Sequence, residues 1–406
     1  MNTNQYKVLQ QAQGTLNNAL ASFLYGSVVG RFPMGVFEGS GVIKTYSLIS
    51  CRSAFQAANI PVPISLQAIS GKLISVRKYS SILADSYRGW VVAVNAVNHN
   101  KTIPGEKGTI PKGQAYGNWL KNGGDARRYK SVHRLRQLLK NEGAQFFLRG
   151  IAHGSIATLD DTPGFSDMDL AFIIKASALK DPNRLLGLRA LAIHILILTF
   201  GFDPFMHHGP YYISEIDLGW YPEALFPSLL FHSGVDVLET AEELAINIRP
   251  SEDVTEKMID MFQDFFRKWQ LKPVLLKTTF ELEWLLGSAM LLPALYLQYI
   301  TKSFHYKRDT FSLARKDFTA DEWEPIERAS YLRAHLDSRP NPSSGILAIA
   351  RALRWPGFLH IWGRCTRDSV NRAKIVSAQL GKDYPQKVLH LIDAMKFKMD
   401  KVSNAR

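Results

Sequence analysis

The chain has 406 residues, 46% of them hydrophobic, which is enough to bury full cores; this excludes a disordered protein and suits two or three domains. Its formal net charge of +13 is uneven: residues 1–145 hold 18 Lys/Arg against 5 Asp/Glu, and the remaining 261 hold 31 of each. That asymmetry points to a polyanionic partner, with a merely solvated basic surface as the alternative.

The two cysteines, Cys51 and Cys365, lie far apart and offer neither a disulfide framework nor metal-ligand spacing. The opening MNTNQYKVLQQAQ has no basic n-region followed by an apolar h-region, so no signal peptide is expected and the compartment is read as cytoplasmic. A helix is expected near Tyr6 to Leu24, then a Gly-rich aromatic stretch (YGSVVGRFPMGVFEGSG) without the strand-turn-helix context of a phosphate loop. An apolar segment runs from Ser80 to Ala96. HNKTIPGEKGTIPKGQAYGNW, with its prolines and glycines, reads as an exposed connection. Residues 1–125 are taken as a basic module of undefined type.

From Ser131 the pattern sharpens. SVHRLRQLLKNEG spaces its apolar residues as an amphipathic helix closing on Gly143. AQFFLRGIAHGS reads as a buried strand, Met168 to Ile174 as a second, Pro182 to Phe200 as a helix and Pro210 to Trp220 as a third strand. This makes residues 126–228 an α/β core. Residues 229–406 read as helical, from DVTEKMIDMFQDFFRKWQ through Trp284 to Tyr299, Asp321 to Leu336, Ser344 to Trp355 and Ser369 onward. The expected class is α+β. Two apolar runs, Leu185 to Phe202 and Trp284 to Ile300, have nearly the length of membrane spans, but Arg189, His194 and Pro293 within them favour buried core helices and no membrane span.

The segment HGSIATLDDTPGFSDMDLAF, residues 153–172, concentrates the chemistry. On a strand, residues i and i+2 share a face, so Asp167 and Asp169 project side by side, roughly 6 to 7 Å apart at their roots, while Met168, Leu170 and Phe172 face a core. Paired carboxylates repel unless a cation lies between them, and hard oxygens suit Mg²⁺ or Mn²⁺. The first basic residue downstream is Lys175. Asp217, between Ile216 and Leu218, is the expected third carboxylate of a cluster able to hold two metal ions; Glu215 competes for that place. Gly154 permits close backbone approach, and Ser155 opens a short helix suited to a terminal phosphate.

Gly154-Ser155 after a strand, eleven intervening residues, Asp167-Met168-Asp169-Leu170, and the distant Ile216-Asp217-Leu218 together resemble the polymerase-β-type nucleotidyltransferase superfamily, over about residues 130–225. The resemblance implies a nucleotidyltransferase α/β core with a helical C-terminal domain, and transfer of a nucleoside monophosphate from an NTP to an acceptor, usually a hydroxyl, with pyrophosphate leaving. It implies that Asp167 and Asp169 bind two Mg²⁺ (or Mn²⁺) ions, that Asp217 binds the catalytic one and helps deprotonate the acceptor, and that Ser155 holds the β- and γ-phosphates.

It also suggests Lys307 and Arg308 as triphosphate contacts, against a solvated helix end. His207, His208 and His153 stand near enough in the chain to contact acceptor or phosphate, and Arg149 is either a core ion pair or a phosphate contact. The acceptor is left between a small molecule or glycan and a nucleic acid held by the basic N-terminal third. Other readings are a nucleotide-sugar glycosyltransferase, whose Asp-x-Asp needs neither the upstream Gly-Ser nor a third acid, and an inactive nucleotide-binding module, which would be expected to have lost one of the three acids.

Overall fold

The computed structural model describes residues 3–25, 42–70, 73–99, 106–124, 129–161, 166–206, 209–223, 226–239, 242–249, 254–271, 278–334 and 342–404. The protein is mixed α and β, and it divides into two compact units. The first comprises Met1–Asp160, Asp167–Pro250 and Asn341–Ile361; the second comprises Asp161–Ser166, Ser251–Pro340 and Trp362–Arg406. The N-terminal third is therefore not a separate module. Its helices share one apolar core with the sheet that carries the Asp-x-Asp motif.

The first unit begins with α1 (Thr3–Tyr25), β1 (Val42–Lys44), α2 (Tyr46–Ala57), α3 (Ile64–Gln67), β2 (Leu73–Ser75) and α4 (Val76–His99). The connection from residue 99 onward is not simply a loop: it contains β3 (Glu106–Ile110), β4 (Gln114–Ala115) and α5 (Tyr116–Lys121). Next come α6 (Lys130–Glu142), β5 (Phe147–Ala152), α7 (Ser155–Thr158), β6 (Leu170–Ile174), α8 (Ala176–Leu179), α9 (Pro182–Phe202) and β7 (Tyr211–Ser214). Then α10 (Leu229–Ser233), β8 (Val235–Asp236) and β9 (Leu244–Ile248) show that the text after residue 228 is not yet purely helical.

A five-stranded sheet runs in the order β4-β8-β5-β6-β7. β5 is antiparallel to β6 and β8, whereas β6 and β7 are parallel, with Ala171 opposite Tyr211. Every residue of β6 is buried, because the sheet is covered on both faces. Leu170, Phe172 and Ile174 join the large core formed with the helices, and Ala171 and Ile173 join a smaller cluster with Ile151, Phe226 and Phe231.

α9 starts where Asp181 accepts from the backbone N–H groups of Asn183 and Arg184 at 2.8 and 3.3 Å, with Pro182 in the first turn. Its one deeply buried cation, Arg189, donates to the Phe23 carbonyl and lies over the Phe23 ring, 5.3 Å from its centre.

The second unit is helical: α11 (Val254–Leu271), α12 (Thr279–Thr301), α13 (Lys307–Arg315) and α14 (Ala320–Ala334). The chain returns to the first unit in α15 (Ser344–Ala352), passes through α16 (Gly357–Cys365), and ends in the second with α17 (Arg367–Leu380) and α18 (Tyr384–Asn404). Leu285, Leu292, Trp323, Val388 and Ile392 belong to its separate core. α9 and α12 are long and apolar enough to cross a membrane; 61% and 67% of their most apolar windows are buried within the protein.

Candidate functional site

The site grows from the antiparallel pairing of β5 and β6, which brings the end of one strand beside the start of the other. β5 ends at Ala152, paired with Leu170, and one residue beyond, the His153 N–H donates to the Asp169 carbonyl at 2.9 Å. Gly154 follows with φ 69° and ψ −154°, a conformation essentially restricted to glycine. A Cβ there would lie 2.5 Å from Asp169 Oδ2. The turn and the carboxylate thus occupy one spot, and only a residue without a side chain lets them meet.

Ser155 opens α7, a single turn held from outside by buried Trp119, whose Nε1–H donates to the Ile156 carbonyl at 3.1 Å. Asp167, Met168 and Asp169 lie just before β6 and keep its alternation: Met168 is fully buried in the large core, and both aspartates are half-buried. The strand starts two residues later than the sequence suggested, yet the two acids still share a face, as expected.

Two aromatic groups frame that face. The His153 and Phe226 rings meet edge to face with 5.0 Å between centres, and Tyr211 on β7 lies 6.2 Å from His153 between ring centres. Burial, then the charges of Asp169 and Asp167, hold the Tyr211 hydroxyl well above its usual pKa. This places the phenol within electrostatic reach of both acids. The pattern Gly-Pro-Tyr before β7 gave no signal for such a role.

Asp217 does not join them. β7 ends at Ser214, whose Oγ accepts from the Ile216 N–H at 3.1 Å and turns the chain into a 3₁₀ segment, Glu215–Trp220. Because β6 and β7 are parallel in the register Ala171–Tyr211, Asp169 is level with Gly209. Asp217 follows the far end of β7, after roughly 16 Å of strand rise from that level. It is 1% exposed, and its Oδ1 accepts from Trp90 Nε1 at 2.9 Å. Burial raises its pKa, opposed by bonds from Gln13 and Trp90, the charge of Arg249 and a bond from Asn17. The third-ligand expectation for Asp217 is thus corrected: it fastens the 3₁₀ segment to α1 and α4.

Glu215 is no substitute, since its Oε2 accepts from the Ala176 N–H at 2.6 Å and caps α8. Among the described residues no group of three or more His, Cys, Asp or Glu could hold a metal ion. Two carboxylates are what the residues present offer, and half-buried hard oxygens beside a bare backbone turn fit Mg²⁺ or Mn²⁺.

Arg149 is a core cation: it donates to the carbonyls of Pro111, at 2.6 Å, and Glu242, with Asp236 3.9 Å from its Nε. His207 and His208, and Arg127 and Arg128 of the basic run, lie outside the described residues. Of the rest of that run, Arg136 stacks 4.2 Å over the Tyr116 ring and pairs with Glu239, while Lys130, Arg134 and Lys140 are exposed. Lys307 and Arg308 open α13 in the helical unit, where Arg308 lies 3.6 Å from Asp309. No protein-family model, curated protein or solved structure matches the chain.

Proposed function

We propose that this protein binds a nucleoside triphosphate with Mg²⁺ (or Mn²⁺) at the Gly154–Asp169 site, in a polymerase-β-like catalytic fold, and transfers the nucleoside monophosphate to an acceptor hydroxyl. The observation that carries the reading is the closure of Gly154 onto the Asp169 carboxylate. It joins a phosphate-accepting turn to a metal-accepting acid pair, elements that lie fourteen residues apart in sequence (154 to 168, the midpoint of the pair).

Asp167 and Asp169 would hold the metal, which when bound neutralises phosphate charge and fixes the triphosphate. The backbone at Gly154 and the Ser155 hydroxyl would donate to β- and γ-phosphate oxygens. Trp119 keeps Ser155 in place by anchoring α7. Tyr211 and His153 wall one side, and their apolar faces limit water around the acid pair. The basic residues of the first 145, Lys130 and Lys140 among them, suit an acceptor that carries negative charge.

A second reading is favoured by one observation, the distance of Asp217 from the acid pair: a module that binds the metal–nucleotide complex and transfers nothing. One assay separates the two. The protein is incubated with α-labelled NTPs, Mg²⁺ and pooled RNA, proteins and small alcohols. Labelled acceptor with equimolar pyrophosphate is the outcome expected of the transferase. Saturable Mg²⁺-dependent NTP binding without pyrophosphate identifies the module, and preference for a nucleotide diphosphate sugar over an NTP overturns both.

A further inference from the structure

A second concave surface of the first unit lies between α6, α9 and α15, and none of its described lining residues belongs to the Gly154–Asp169 site. Its volume is about 360 Å³, within the range of small-molecule sites. Three helices build it by simple periodicity. On α6, Arg134, Leu138 and Asn141 recur at one face, with Gln137 beside them; on α9, His194, Ile197 and Leu198 do the same. α15 is seated on α9 through Leu347, whose Cδ2 would be 3.0 Å from a Cβ on Gly201, and Arg351 follows one turn later on that face.

The lining sorts by chemistry. Leu138, Ile197 and Leu198 make an apolar floor. Arg134 and Arg351, from different helices, supply two guanidinium groups, with the His194 imidazole between the apolar positions of α9. Among the described residues, none of these three side chains has an ion pair or hydrogen bond, and no carboxylate lines the groove. Gln137 and Asn141 add carboxamides that both donate and accept.

We propose that this groove binds a nucleoside phosphate. Guanidinium forks match phosphate oxygens, an apolar floor takes the face of a base, and a carboxamide pairs with the mixed donors and acceptors on a base edge. An acyl chain would leave the amides unused, and a bare oxyanion would leave the floor empty. Because Arg134 and Arg351 themselves supply the charge that balances phosphate, binding there needs no divalent metal. That property separates it from the Asp167–Asp169 site, on which it does not depend.

The test uses the full chain carrying Asp167→Asn, in EDTA, titrated with a fluorescent N-methylanthraniloyl derivative of AMP. Saturable one-to-one binding is expected, and Arg134→Ala and Arg351→Ala should each weaken it about ten-fold or more, as for lost hydrogen bonds to a charged group. Both arginines are exposed, so unchanged melting curves will show that the variants remain folded. AMP should displace the probe well below the concentrations at which adenosine or inorganic phosphate does. Absence of saturable binding, affinity unchanged in both alanine variants, or displacement by phosphate or adenosine as effective as by AMP would each overturn the assignment.

Discussion

Gly154→Ala probes the site at the one position where backbone and chemistry coincide. The φ of 69° and ψ of −154° lie in a region essentially closed to residues with a Cβ, which costs of order 1–3 kcal/mol. The new methyl would also stand 2.5 Å from Asp169 Oδ2, but 3.4 Å from Cγ and 3.5 Å from Cβ of the same side chain. The clash therefore falls on the far end of a side chain that can turn. Stability should drop by the backbone term, whereas metal affinity should drop because the carboxylate has turned away. The expected loss of Mn²⁺ affinity is about 10- to 100-fold, the usual effect of disturbing a ligand's orientation.

Urea unfolding followed by tryptophan fluorescence measures the first effect, and Mn²⁺ titration calorimetry the second. Gly117→Ala is the control: it lies in α5 with nothing within 4 Å of the added Cβ, so it should be neutral or slightly stabilising. If Gly154→Ala matched Gly117→Ala in both measurements, the argument that the glycine permits the acid to close on the turn would be wrong.

Other consequences are as direct. Arg149→Ala should destabilise the first unit by about 3–5 kcal/mol, since it removes the cation beside buried Asp236 and the donor to two carbonyls, and an unchanged urea midpoint would contradict the core-cation assignment. Asp217 has a folded pKa above its unfolded value, so its contribution to stability is present at low pH, below about 3.9, and is lost as pH rises through the folded value. Asp217→Asn keeps an acceptor for Trp90 and removes the titration; the decline in stability above about pH 4 should flatten. A pH profile identical to wild type would refute it. Ser155→Ala should weaken Mg²⁺-dependent NTP binding by about 1–3 kcal/mol and leave Mg²⁺-dependent NMP binding nearly unchanged, as its proposed contacts are to the β- and γ-phosphates; equal losses for both would move Ser155 away from that role.

Much of the first unit was legible from periodicity. α6, β5 and α9 stand within a few residues of where the apolar spacing put them, and the acid pair shares a face because Met168 and Leu170 demand the opposite one. Asp217 misled for a physical reason. Ile-Asp-Leu alternates as a strand does, but the Ser214 hydroxyl captures the Ile216 N–H, and the chain tightens into 3₁₀ turns that bury the acid. β3, β4, β8 and β9 were missed because each is five residues or shorter, amid Gly, Pro and polar residues, with its partner far along the chain. The division into units was illegible too, since α15 returns to the first unit from within helical text. Tyr211 carries no motif; only the parallel register of β7 brings it to the acids.

The central claim is that a metal–nucleotide site is built from Gly154, Asp167 and Asp169, without Asp217. Its most direct test is calorimetric titration of Mg²⁺ with a non-hydrolysable NTP against wild type, Asp169→Asn and Asp217→Asn. The Mg²⁺-dependent part of the binding, read as the difference from the same titration in EDTA, should vanish in Asp169→Asn and persist at wild-type affinity in Asp217→Asn, in step with their separation along β7. Mg²⁺-dependent binding retained in Asp169→Asn, or lost in a folded Asp217→Asn, would contradict it.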